Sequence, residues 1–571
     1  MMIKSENIKG DFRNIVKTIQ FVYRSDKVLF IVRLVLIVLQ SLLTIASLYA
    51  LKLLIDAITI GATGSDFSLL WAYSAFFCGV FLFSRLLLII NQFADEILMQ
   101  KLIDYVSNLI NRKSVELDLS YYDNAEYHDA FHRAQQEANF RPVQILNNII
   151  GIFTNLLSLI GIVVVLTSFS WVIITIVFVA GLPSLWVKLV KSRRLYKWRK
   201  ENTPSFRKSN YYSTLLTNRP YAKEVRVNNL SSILLQQFVD LRKNLVKQIV
   251  KITKKTAKLD AISALVEAFA LLAVIYLLAV KAYSGAISIG GFVMLFEAFR
   301  RGQGYIQGLV SSVSGVFENK LFMNNLFEFL KLKPNINSPQ QPVPFPQKLI
   351  EGIRFENVSF SYPGSENFIL RNVNLEIKPG LITHIQGENG AGKTTLIKLI
   401  SRLYDCTEGA IYIENINIKD FELDELRQNI SMIFQDFCQF DMTVKENIAF
   451  GDVTDMNNEE KMIAAVQKST AKQIIDKLPQ GFETMLGKYF EKGEELSMGQ
   501  WQRIALSRAM YSDAPILILD EPTSWIDAKA ETEFYKGLNH VVKNRTVIMI
   551  NHSGQMNENV LYSKNCCKVL L

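Results

Sequence analysis

Gly387, Glu388, Asn389, Gly390, Ala391, Gly392, Lys393, Thr394 and Thr395 follow one another in a spacing suited to holding a phosphate chain. They fit G-x-x-x-x-G-K-[ST], the P-loop pattern. The glycines let the backbone curl so that successive N–H groups point inward at phosphate oxygens. Lys393 is placed to reach the β- and γ-phosphates, and the Thr394 hydroxyl to ligate Mg²⁺. Further on, Pro515-Ile516-Leu517-Ile518-Leu519-Asp520-Glu521 reads as a buried strand ending in two acids. Asp520 is suited to hold Mg²⁺ through water, and Glu521 to polarise an attacking water. Between the two lies Leu496-Ser497-Met498-Gly499-Gln500-Trp501-Gln502-Arg503. A Ser and a Gly at a helix start make a second anion site. One domain with two phosphate-binding elements has more than a monomeric ATPase needs.

These residues need a frame. Leu381–Ile385 reads as a strand entering the P-loop, and Thr395–Ile400 as a helix leaving it. Ile353, Phe355, Val358, Phe360 and Tyr362 alternate with polar neighbours, as in a half-buried strand. Residues 351–571 thus predict an α/β P-loop NTPase domain. Ahead of it, 331–350 is a Pro-rich linker, extended rather than helical; Lys331–Gln347 holds five of the fourteen prolines. The rest of the chain differs. Apolar residues are 49% of the 571, yet 20% are charged, and the mean hydropathy is +0.16. Both facts fit if residues 1–330 lie in a membrane. The net charge of +10 comes with no basic–aromatic nucleic-acid motif, which excludes nucleic acid as a partner. Cys78, Cys406, Cys438, Cys566 and Cys567 have no metal-ligand spacing. No cleavable signal peptide is apparent at the N-terminus.

A spanning helix needs roughly 20 mostly apolar residues. Leu34–Leu51 and Phe67–Ser84 carry no charge, and Pro142–Val187 runs 46 residues without one. The last holds two spans joined by a turn near Thr167–Trp171. A fifth span runs through Ile262–Val280, and a sixth from about Ile287 to Phe317, interrupted by Glu297, Arg300 and Arg301. The expectation is an all-α domain of six transmembrane helices. Lys and Arg concentrate in the N-terminal segment, in 91–141 and in Lys191–Lys258, which alone has 18 of them. The intervening turns have almost none. By the positive-inside rule both termini are cytoplasmic. The excursions 92–140 and 190–258 are long enough to continue as helices into the cytosol, with Tyr121–Tyr127 and Leu216–Arg226 as tips that touch a soluble domain. Glu267, Glu297, Arg300 and Arg301 at membrane depth are candidates for a substrate path, although Glu297 can simply pair with the two arginines. Seven glycines between Gly285 and Gly315 suit close helix packing.

The ordered set of P-loop, Leu-Ser-Met-Gly-Gln, Asp520-Glu521 and His552 resembles an ABC-transporter nucleotide-binding domain with its helical signature subdomain. With six spans ahead of it, the chain looks like an exporter-type half-transporter. The resemblance implies ATP and Mg²⁺, a second half-transporter (a homodimer with itself) and the cytoplasmic membrane. It implies that Tyr362 stacks on adenine and that Gln435 is the Gln-loop residue touching Mg²⁺. Ser497, Met498, Gly499 and Gln500 would be the signature acting on the partner subunit's ATP. Asp527 would be the D-loop acid, and His552 the switch histidine beside the base Glu521. Phe434-Gln435-Asp436-Phe437, Trp501 and Tyr127–Pro142 are similar to the branch that secretes lantibiotic- or bacteriocin-type peptides. About 27 residues precede the first span, too few for a peptidase domain, so export without leader cleavage is expected.

Three departures matter. Met498 stands where the family usually has glycine, which would crowd the phosphate or alter the helix start. Trp525-Ile526 replaces a small-residue–Leu pair. Only 19 residues follow His552, so the family's further strand and closing helices are expected to be missing. The function expected is ATP-driven export of a peptide by alternating access. Two other readings stay open: an exporter of lipids or hydrophobic drugs, and a truncated or regulatory membrane protein that binds ATP without sustained transport.

Overall fold

Two helices of this chain are far longer than a bilayer is thick. Phe67–Glu116 has 50 residues and Ser231–Tyr283 has 53. At 1.5 Å per residue each is about 75–80 Å long, against a hydrocarbon core of roughly 30 Å. Their charged halves extend beyond any membrane, as the two long excursions predict. The computed structural model describes residues 17, 19–61, 67–123, 140–167, 169, 171–388, 390–541, 545–551 and 566–570. It divides into two units: Met1–Ser114 with Asp129–Leu332, and Val115–His128 with Lys333–Leu571.

The first unit is helical. Lys27–Gly61, Phe67–Glu116, Arg141–Thr167, Trp171–Glu201 and Ser231–Tyr283 are each long and apolar enough to cross a membrane. Ile289–Glu318 is one continuous helix of 30 residues, but its charges keep it below the apolarity of those five. Leu48, Ile162, Val177, Val274, Leu278, Ala298 and Phe299 form its buried core. Glycine permits the closest contacts. A Cβ on Gly308 would lie 2.4 Å from Asn155 Oδ1, and one on Gly315 2.3 Å from Asn148 Oδ1. Leu82, Leu86, Val164, Leu182, Trp186, Phe269 and Leu272 face outward, as lipid-facing side chains do. At one end, the buried Arg33 guanidinium donates to both Asp95 oxygens and to Asn91, tying Lys27–Gly61 to Phe67–Glu116.

The second unit carries two sheets. One is antiparallel, in the order β2 (Leu370–Ile377), β1 (Ile353–Phe360), β4 (Glu408–Ile413), β5 (Ile416–Asn417). The other is parallel, in the order β6 (Ile430–Ile433), β7 (Ile516–Asp520), β8 (Thr546–Ile550), β3 (Ile382–Gln386), β9 (Cys566–Leu570). All five residues of β7 and of β8 are buried, because parallel strands are covered on both faces. One core cluster holds Leu517, Leu519, Val547 and Met549; the other holds Ile516, Ile518, Ile548 and Ile550. The alternating registers of these strands feed opposite faces of the sheet.

β9 corrects one expectation. The chain does have a further strand after His552, paired in parallel with β3 from Ile382↔Cys566 to Gln386↔Leu570. The apolar run is short and its partner lies far away in sequence, so local pattern alone does not reveal it.

The described part of an early segment, residues 115–123, folds with the second unit although the chain delivers it early. The Asp118 carboxylate accepts from the N–H groups of Asn335 (2.5 Å) and Ile336 (3.4 Å). The Tyr121 hydroxyl donates to the Lys333 carbonyl at 2.9 Å. Leu119 packs against the core around Phe360 and Tyr404. These are contacts of the kind expected of an excursion tip; residues 124–127 of that tip lie outside the described residues.

Candidate functional site

β3 ends at Gln386 and the helix Lys393–Ile400 begins seven residues later. The loop between them needs glycine. Gly392 has φ +89°, and a Cβ there would sit 2.6 Å from Leu370 Cδ2. Lys393 is 7% exposed. Its ammonium donates to the carbonyls of Gly387 (2.6 Å) and Glu388 (3.0 Å), so the side chain arches over the loop. Gly390, Ala391 and Thr395 complete the cradle; Asn389 lies outside the described residues.

The ends of β3 and β7 bring the loop to the two acids. The Thr394 hydroxyl donates to Asp520 Oδ2 at 3.0 Å. Asp520 is 1% exposed, and burial pushes its carboxyl up to about 6. The Thr394 hydrogen bond and Lys393 oppose that shift; the charges of Glu521 and Asp436 add to it. Hydroxyl and carboxylate oxygens beside a carboxyl that is costly to ionise suit a hard divalent cation such as Mg²⁺. Glu521 follows with φ +50°, a left-handed conformation uncommon for a side-chain-bearing residue. Gln435 Nε2 donates to Glu521 Oε2 at 2.8 Å. Asp520, Glu521, Gln435 and the P-loop therefore meet at the carboxyl ends of parallel strands, where ligands of open α/β sheets bind. His552 lies outside the described residues.

Gln502 was given no role by the sequence. It is 2% exposed. Its amide donates to the Glu521 carbonyl at 3.0 Å and accepts from the Trp525 N–H at 3.0 Å. It thereby holds the strained turn that carries Glu521. A glutamine among the buried, mostly apolar residues of this helix was the available signal.

Tyr362 stands at the other side of the loop, its hydroxyl 3.2 Å from Thr395 Oγ1. Its ring meets that of Tyr404 edge-on with centroids 5.3 Å apart, and Lys398 Nζ lies 5.6 Å from the Tyr362 centroid. Tyr404 in turn donates to the Asp123 carboxylate. Burial, and then that carboxylate, raise the phenol well above its ordinary range.

The signature residues form their own structure. Ser497 caps the helix Met498–Tyr511: its hydroxyl accepts from the Gln500 N–H (3.3 Å), and Gln500 Oε1 accepts from the Ser497 N–H (2.8 Å). This reciprocal cap forms with methionine at the first helical position, so Met498 does not alter the helix start. Met498 is 45% exposed, and its Sδ accepts from Gln439 Nε2 at 3.2 Å. Gly499 lies close against the loop after Glu521; a Cβ there would lie 2.2 Å from the Trp525 carbonyl oxygen. Asp527 pairs with Arg503 at 2.8 Å and accepts from the Ala530 N–H at 3.0 Å. The backbone bond, before the arginine, lowers its carboxyl.

In the membrane unit Glu297 pairs with Arg300 (2.9 Å) and Arg301 (3.7 Å). Glu267 accepts from Gln307 Nε2 at 3.1 and 3.0 Å.

Residues 370–524 match the family model described as "ABC transporter". Over 94% of this chain and 87% of its relative, the sequence is 31% identical to the subtilin transport ATP-binding protein of Bacillus subtilis. It is 30% identical to the nisin transport ATP-binding protein of Lactococcus lactis subsp. lactis, over 77% and 74% of the two chains. An ATP-dependent lipid A-core flippase of Haemophilus influenzae is 31% identical over 56% of this chain and 53% of its own. Among solved structures, a bacterial Atm1-family ABC exporter with ATP bound shares the fold, with a TM-score of 0.74 over 92% of this chain and 91% of that one, at 22% identity. The chain belongs to the ABC transporters, as a multi-pass membrane exporter that couples ATP hydrolysis to transport.

Proposed function

We propose that two copies of this chain form a homodimer in the cytoplasmic membrane, with both termini cytoplasmic, and export an amphipathic peptide. Two peptide-transport relatives with similarity through both halves of the chain support the substrate class. The observation that carries the catalytic part is the meeting of Thr394, Asp520, Glu521 and Gln435 at the strand ends.

Backbone N–H groups of 387–395 and the Lys393 ammonium bind the β- and γ-phosphates, and Tyr362 stacks on the adenine. Thr394, Asp520 and Gln435 would hold Mg²⁺, which when bound supplies positive charge against the phosphate oxygens. Gln435 orients the Glu521 carboxylate. Glu521 takes a proton from the water that attacks the γ-phosphorus as the bond to ADP breaks. Gln502 holds the backbone of Glu521 in place for this. Ser497, Gly499 and Gln500, with Met498 beside them, act on the partner subunit's ATP, and His552 positions the γ-phosphate. Two sites closed this way favour the outward-open membrane domain.

The test is phosphate release by the purified protein in lipid nanodiscs, beside Glu521→Gln. Wild type should exceed the variant by about 10²–10⁴-fold, the worth of a positioned base. Equal inactivity of the two sinks the catalytic reading. Stimulation by phospholipid but by no peptide would favour the second reading, supported by the lipid A-core flippase similarity, of a lipid exporter.

A further inference from the structure

A cavity of about 390 Å³ lies in the membrane unit where Lys27–Gly61 and Phe67–Glu116 are not tied together. Asn91 Nδ2 donates to Gln40 Oε1 at 3.1 Å and closes one end of the gap. From Gln40 onward the cavity separates the two helices, with Thr44 and Ser47 on one side, Ser84 and Arg85 on the other, and Arg301 joining from Ile289–Glu318. Among the described residues no Asp or Glu lines it.

The charges do not balance. Arg85 follows 18 uncharged residues, Phe67–Ser84, and precedes Leu86–Ile90. Among the described residues it has no carboxylate partner. Arg301 is held by the Ser47 hydroxyl, to which it donates at 2.9 Å, and by Glu297. Glu297 is shared with Arg300. Of the three guanidinium groups, Arg300 and Arg301 share the one Glu297 carboxylate, and among the described residues Arg85 has none. An arginine at membrane depth is costly unless it meets a cavity, a partner or the interface. Here two of them meet a cavity whose other walls include the apolar Phe77 and Phe81.

We infer that this cavity binds a carboxylate of the exported peptide, with Arg85 as the anchoring donor and Arg301, fixed by Ser47, as the second. Guanidinium groups grip carboxylates through paired N–H donors. Phe77 and Phe81 take the apolar side chain next to the acid. The volume suits one or two residues, so the cavity reads a feature of the peptide rather than enclosing it. The inference rests on the peptide-export reading above.

The experiment uses the full chain in phosphatidylcholine nanodiscs and two amidated amphipathic peptides that differ only in one Glu or Gln beside a Phe. The readout is the peptide concentration giving half-maximal stimulation of ATP hydrolysis. The Glu peptide should act at about tenfold lower concentration than its Gln twin, the worth of one charge-assisted contact. Arg85→Gln should erase that preference while leaving the response to the Gln twin in place. Arg85→Lys should keep part of it. If wild type treats the twins alike, or Arg85→Gln weakens both equally, the cavity is not the carboxylate site and the export reading stands. If neither peptide stimulates wild type, both fall. If phosphatidylglycerol in the discs abolishes the preference, a lipid phosphate is the occupant and the proposal is overturned.

Discussion

The Tyr404 hydroxyl donates a hydrogen bond to the Asp123 carboxylate, joining residues 281 positions apart. Tyr404 also packs edge-on against Tyr362, whose hydroxyl meets Thr395 of the P-loop helix. Asp123 follows directly on the Phe67–Glu116 helix through a short turn and Leu119–Tyr122. A path of contacts therefore runs from the P-loop helix to a segment covalently continuous with a membrane helix.

Tyr404→Phe deletes the hydroxyl and keeps the ring packing. A hydrogen bond to a charged group is worth about 1.5–3 kcal/mol. Stimulation of ATP hydrolysis by transported substrate should fall several-fold, while unstimulated hydrolysis persists. Parallel loss of both activities would mean that the bond serves stability alone.

Asp520 predicts a pH dependence. Its folded-state value of about 6 lies above the ordinary aspartate value of 3.8. The folded form therefore binds the proton more tightly, and the stability linked to that proton is full below 3.8 and lost as pH rises through about 6. Proton and Mg²⁺ compete for the same oxygens. Lowering the pH from 7.5 to 5.5 should raise the Mg²⁺ concentration needed for half-maximal ATP hydrolysis, and in metal-free protein the melting temperature should rise over the same change. Asp520→Asn should flatten the melting response; a response unchanged in that variant refutes the assignment.

Gly499→Ala should show why this position admits only glycine. The new Cβ meets a backbone carbonyl at 2.2 Å, which cannot swing away as a flexible side chain can. The signature helix or the Trp525 loop must move. Turnover should drop by roughly a hundredfold, as for a misplaced catalytic group, with nucleotide binding at Lys393 preserved. A fluorescent ATP analogue separates the two.

Arg33→Met should be among the most damaging single changes in the membrane unit, at about 3–5 kcal/mol, because Asp95 and Asn91 lose their shared donor. Arg33→Met with Asp95→Leu should recover most of it. Thermal unfolding in detergent reads both.

Much of the nucleotide site was legible because its chemistry is local. A P-loop needs consecutive residues, and β7 announces itself as an apolar run before two acids. Tyr362, Gln435 and Asp527 could be named only by resemblance, since each looks ordinary alone. Gln502 and Tyr404 escaped because their roles exist only across distant elements. β9 escaped for the same reason. The pairing of Glu297 with Arg300 and Arg301 followed from helical spacing. The partner of Glu267, Gln307, did not, because it comes from another helix.

The placement of Asp123 also sets a schedule for biogenesis. A ribosome adds about 5–20 residues per second. Asp123 therefore leaves it roughly 15–60 s before Tyr404 exists. Throughout that interval Leu119 and its neighbours have no core to join, and the membrane helices on either side are being inserted. The second unit is complete only when an early piece of chain is captured by a late one. Expressing 333–571 alone would omit that piece and leave the surface around Tyr404 uncovered.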